Sequence, residues 1–133
     1  MQLIFQCDKI LYEDGHSRDR SLSILKNLIL EPVIRNDSRI LPIMLFILKK
    51  YKNNSTKGTK EILKILDIIA NDLYSALKMI KNEFLISFLF ESMKSNHELS
   101  IYAAQLLSSL SDHSEGKFKL RLNLLKLISK LFF

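Results

Sequence analysis

Three segments of the chain superimpose without a gap at a spacing of 41 residues. They are Ser21-Leu22-Ser23-Ile24-Leu25-Lys26-Asn27-Leu28, Ile62-Leu63-Lys64-Ile65-Leu66-Asp67-Ile68-Ile69 and Ala103-Ala104-Gln105-Leu106-Leu107-Ser108-Ser109-Leu110. Leu25, Leu66 and Leu107 fall in register and are expected one above another in the core, and Ile24, Ile65 and Leu106, and Leu28, Ile69 and Leu110, are likewise in register. A unit of this length cannot bury its apolar face alone, so copies stack on one another, and the expected architecture is an all-α solenoid of about three units of 41 residues.

Apolar spacing by threes and fours predicts the helices. A first helix is expected over 18–31, with Leu22, Leu25, Leu28 and Ile29 on one stripe and Pro32 as its stop. A second covers about 39–52, carrying Ile40, Ile43, Met44, Ile47, Leu48 and Tyr51 inward and Lys49, Lys50 and Lys52 at the end where cations suit the helix dipole. After a loop over 53–58 the pattern restarts from Glu61 to Asn71, with Thr59 as the expected N-cap. Helices over 73–80 and 83–94, a loop at Ser95-Asn96-His97, a helix from about Glu98 to Leu110, a break over 111–116 and a last helix over 119–133 complete the reading. Residues 1–133 are expected to form a single repeat domain with cores near 18–31, 59–71 and 98–111 and incomplete units at both ends.

The chain has 47% apolar residues, enough for a core at 133 residues, and its longest apolar run, Ile40 to Leu48, is far short of the ~20 residues of a membrane span. The opening Met1-Gln2-Leu3-Ile4-Phe5-Gln6-Cys7-Asp8 has no basic leader, so no secretory signal is expected. Cys7 is the single cysteine and cannot form an internal disulfide, which fits a reducing compartment. The cytoplasm is the expected location, with the nucleus as the alternative.

No constellation of residues suggests catalysis. Asp112-His113-Ser114-Glu115 holds the residue types of a triad, but neighbours on a turn do not converge. His16 and His97 lack a second metal ligand one helical turn away, and Gly15, Gly58 and Gly116 are isolated, so no metal, cofactor or small-molecule substrate is expected. The aromatics Phe84, Phe88, Phe90, Tyr51, Tyr74 and Tyr102 sit at helical spacing and read as core.

The net charge is +6, and after Glu115 there is no acid while Lys117, Lys119, Arg121, Lys126 and Lys130 follow. A basic helix of that kind could meet nucleic acid or an anionic membrane, the alternative to a protein partner. Leu131, Phe132 and Phe133 at its end are expected to drive self-association or to hold a partner helix.

The core Ile24-Leu25-Lys26-Asn27-Leu28 is similar to the Ala-Leu-x-Asn-Leu core of the third helix in armadillo repeats, and the resemblance extends over about 18–133. Within that class, Lys78-Met79-Ile80-Lys81-Asn82-Glu83-Phe84-Leu85, the 103–110 segment and Glu115-Gly116-Lys117 resemble the armadillo region of plant U-box ubiquitin ligases. The resemblance implies a right-handed superhelix that recruits substrate proteins without being an enzyme itself, since too few residues precede the first core for a U-box. Two departures stand out: Asn27 is replaced by Ile68 and Ser109 in the next units, and the glycine common between the first two helices of a repeat is missing near Asn82. The polar sides of the core helices then give the expected concave binding face, in the columns Ser23, Lys64 and Gln105, then Lys26, Asp67 and Ser108, then Asn27, Ile68 and Ser109. A protein or peptide segment is the expected occupant.

Overall fold

The computed structural model describes residues 6–7, 9–10, 15–51, 56–95 and 97–113. These residues are all-helical, with no strand among them. Residues 6–7 and 9–10 are helical, and after them follow α1 (Gly15–Leu28), α2 (Pro32–Arg35), α3 (Ile40–Tyr51), α4 (Thr56–Ile69), α5 (Leu73–Lys81), α6 (Glu83–Ser95) and α7 (His97–Ser111). They divide into two compact units, Met1–Ile69 and Ala70–Phe133. No described helix is long and apolar enough to cross a membrane. The segment 119–133, with its predicted helix and self-association surface, lies outside the described residues.

In the first unit α4 is the central helix, packed on both α1 and α3. Its burial shows why. Ile62, Leu63, Ile65, Leu66 and Ile69 are all buried, an arc wide enough to meet two neighbours rather than one. α1 answers with Leu22 and Leu25, the turn after it with Ile29, and α3 with Ile40, Leu41, Met44, Ile47 and Leu48. Burying one such side chain contributes roughly 1.5–3 kcal/mol, so this core carries most of what holds the unit together.

The predicted ends of the first helices need correction. α1 closes at Leu28, and Leu30 and Glu31 donate to the carbonyls of Asn27 and Leu28 in a tightened last turn. Pro32 does not stop α1; it opens α2, where its missing N–H and fixed φ suit the first helical position. Thr59 is not a cap either. α4 begins at Thr56 and Thr59 is buried inside its first turns.

Between α2 and α3 the chain turns on Asp37, whose Oδ1 accepts from the Arg39 N–H at 2.9 Å, an Asx turn. The Arg39 guanidinium also grips both oxygens, Nε on Oδ1 at 2.9 Å and Nη2 on Oδ2 at 2.6 Å. These bonds pull the Asp37 carboxyl down to about 2.

In the second unit α5, α6 and α7 all pack on one another. Asp72 caps α5 by accepting from the Ser75 N–H at 3.0 Å. Asn82 joins α5 to α6 single-handed: its N–H donates to the Met79 carbonyl, and its Oδ1 accepts from the Leu85 N–H at 2.9 Å. With φ −84° and ψ 101° the residue is extended, so this junction has no need of the expected glycine.

The core of this unit comes from Ala76, Met79 and Ile80 on α5, Leu85, Ile86, Phe88 and Leu89 on α6, and Leu99, Ala103, Leu106 and Leu110 on α7. The Phe84 and Phe88 rings stack at 6.1 Å. Two expectations fail here. Leu107 is only half-buried, because the inward stripe of α7 runs through positions 99, 103, 106 and 110. Tyr74 is 67% exposed rather than core, with the Lys78 ammonium 4.3 Å from its ring centroid.

Candidate functional site

The polar positions predicted to bind a partner fall on helix surfaces in both units. On α1, Ser23 and Lys26 are half-buried and Asn27 is exposed; on α4, Lys64, Asp67 and Ile68 are half-buried. α1 and α4 pack together, and Lys26 and Lys64 of these six residues meet there on one carboxylate. On α7, in the second unit, Gln105 and Ser108 are exposed and Ser109 is half-buried. The Ser108 carbonyl accepts from the Ser111 hydroxyl at 2.8 Å as the helix closes.

The residue that organises the seam is Glu61, which sequence reasoning passed over. It is 7% exposed and lies one turn before Lys64 on α4. Lys64 Nζ donates to its Oε1 at 3.4 Å, while Lys26 Nζ reaches across from α1 to within 3.2 Å of Oε2. No donor is aligned on Oε2 for a hydrogen bond, so Lys26 neutralises that oxygen by charge rather than by a directed bond. A buried carboxylate is costly unless compensated, and here two ammoniums compensate it.

Lys26 and Lys64 are therefore not simple contact groups on an open face. Lys26 ties α1 to α4 through Glu61, and Lys64 braces the same carboxylate from within α4. Their side chains keep 29% and 32% of their surface in water. The cluster is held on two packed helices and presents positive charge at fixed positions.

Further basic residues extend it. Lys57 is exposed and Lys60 half-buried, at three- and four-residue steps before Lys64 on the same side of α4. Ile68, half-buried one turn after Lys64 on α4, adds apolar surface beside the charges.

Elsewhere the candidate groups have structural work. His113 places Nε2 2.9 Å from the Ala70 carbonyl, tying the end of α7 to the turn before α5. Arg18, buried on α1, donates from Nε to the Ile10 carbonyl at 2.8 Å. Cys7 is buried. Among the described residues no group of three His, Cys, Asp or Glu side chains could hold a metal ion.

Comparison with protein-family models, with curated proteins and with solved structures finds no match to this chain.

Proposed function

We propose that the chain is a non-catalytic protein-interaction module that receives a partner segment on the α1–α4 seam. The observation that supports this reading is the convergence of Lys26 and Lys64 on the buried Glu61, which fixes two part-exposed cations beside Ser23, Asn27, Asp67 and Ile68 before any partner arrives. Side chains ordered in advance lose less entropy on binding, so a rigid polar seam is a better docking surface than the same residues on a loop. The armadillo-like superhelix and a substrate-recruiting role beside a ubiquitin ligase, both implied by the sequence resemblance, belong to the same proposal. In the second unit, Gln105, Ser108 and Ser109 are the proposed binding positions on α7.

Site-specific photo-crosslinking in cells tests it. A photoreactive residue at Asn27 should give discrete protein adducts that a photoreactive residue at the exposed Lys94 does not, and Asn27→Arg should abolish capture of the same proteins by the purified chain. Identical adducts from both positions, or capture unaffected by Asn27→Arg, would refute the seam as the working surface.

A further inference from the structure

We infer that Ser38 is a phosphorylation site for an arginine-directed protein kinase, with ATP as the phosphoryl donor. The modification is independent of the partner-binding reading.

Three serines follow an arginine by three residues: Ser21 after Arg18, Ser23 after Arg20 and Ser38 after Arg35. Kinases of this kind read the charge before the serine, gripping the guanidinium between carboxylates, and they need the segment opened from its fold. The structure separates the three. Ser21 and Arg18 are both buried, and Arg18 is spent on the Ile10 carbonyl at 2.8 Å. Ser23 is half-buried inside α1, flanked by the fully buried Leu22 and Leu25, so offering it to an enzyme would open the core of the unit.

Ser38 has none of these restraints. It is exposed on the turn between α2 and α3. α2 spans only Pro32–Arg35 and buries no residue, so unwinding it disturbs no core. Arg35 closes that helix, and no described carboxylate pairs with its guanidinium. The restraint beside Ser38 is the Asp37–Arg39 pair, and it lies at the surface, where the Arg39 side chain keeps 52% of its area in water and salt screens the attraction.

In the transfer the Ser38 hydroxyl oxygen forms the new bond to the γ-phosphorus of ATP as the bond from that phosphorus to the bridging β–γ oxygen breaks. ADP leaves with the electron pair, and the hydroxyl proton passes to the kinase's catalytic aspartate. The product changes the turn. Phosphoserine brings about two negative charges at neutral pH and three acceptor oxygens to a position between Asp37 and Arg39 in the chain. It repels the Asp37 carboxylate and competes with it for Arg39, whose Nε and Nη2 hold both Asp37 oxygens in the unmodified chain. Both effects push the Asp37 carboxyl up.

The test uses the full chain with ATP and a purified serine kinase of the calmodulin-dependent class, followed by peptide mass spectrometry. Phosphate should appear on Ser38 and not on Ser21 or Ser23, and Ser38→Ala should abolish it. Arg35→Ala should slow incorporation by about tenfold or more, the factor that a charge-assisted hydrogen bond supplies, while Lys94→Ala on α6 should leave it unchanged. Circular dichroism checks that the variants fold. In the phosphorylated chain a carbon-detected titration should move the Asp37 midpoint from about 2 toward about 4.

Phosphate on Ser21 or Ser23 of the folded chain, or equal rates with and without Arg35, would overturn the assignment. So would a folded chain that takes no phosphate while a synthetic peptide covering 32–43 takes it, because the turn would then be closed to the enzyme. An Asp37 midpoint still at about 2 after phosphorylation would overturn the coupling to Arg39.

Discussion

Two adjacent leucines on α7 give the sharpest test of how this chain buries its core. Leu106 is fully buried, and Leu107 is half-buried one residue further round the helix. Replacing either by alanine removes the same atoms from the same helix with the same small change in helix propensity, so the difference between the variants isolates burial. Leu106→Ala loses the transfer energy of its side chain and leaves a cavity against Ala103, Leu110 and the facing helices, a cost of ~2–5 kcal/mol. Leu107→Ala loses only part of a side chain's ~1.5–3 kcal/mol of transfer energy, and solvent fills the gap, so its cost is about 1 kcal/mol. The two variants should therefore differ by about 2 kcal/mol, a factor of roughly 30 in the unfolding equilibrium. Urea unfolding followed by circular dichroism reads this directly, with Leu66→Ala on α4 as the fully buried reference at ~2–5 kcal/mol. Equal costs at Leu106 and Leu107 would show that the inward stripe of α7 has been misassigned.

Other expectations follow from single contacts. Because Asp37 has its carboxyl lowered to about 2 by the Arg39 side chain, its stabilising contribution is complete above the unfolded value near 4 and is lost as pH falls through about 2; a carbon-detected NMR titration of Asp37 should give that low midpoint, and Arg39→Ala should return it toward about 4. Asn82→Ala removes the bond to the Leu85 N–H and should cost about 1 kcal/mol in thermal unfolding, whereas Asn82→Asp should be tolerated because a carboxylate also caps. Glu61→Leu should change stability by less than about 1 kcal/mol in thermal unfolding, since Lys26 and Lys64 can turn to water.

The sequence made the helices legible where an apolar stripe and a cap coincide. The starts of α5 and α6 at Leu73 and Glu83 lie where the pattern placed them, and α3 within a residue of its predicted ends. The repeat register located Leu25 and Leu66 in the core, but it could not fix the phase of the third copy. Register counts residues along the chain, whereas burial depends on rotation about the helix axis, and a one-residue slip turns a helix by about 100°. That rotation puts Leu106 inside in place of Leu107, whereas Ile24 is partly exposed although its counterpart Ile65 is buried because α4, packed on two helices, buries the wider arc.

The site was half legible. Lys26 and Lys64 could be seen as polar positions on neighbouring faces, but their shared partner could not. Glu61 opens an apolar run and reads as a solvated acid until α1 is laid against α4 and brings Lys26 to it. Tyr74 misled for the complementary reason: an aromatic at helical spacing suggests core, yet Lys78 one turn later was the sign of an outward, cation-covered ring.

The most direct test of the central claim is a map of where a captured partner touches the folded chain. Amide and methyl NMR of the full chain titrated with a protein identified by the Asn27 crosslink should move the resonances of Lys26, Asn27, Lys64 and Ile68, leaving those of Tyr74, Lys78 and Met93 in place. Shifts confined to Tyr74, Lys78 and Met93, with the α1 and α4 resonances unmoved, would contradict the account.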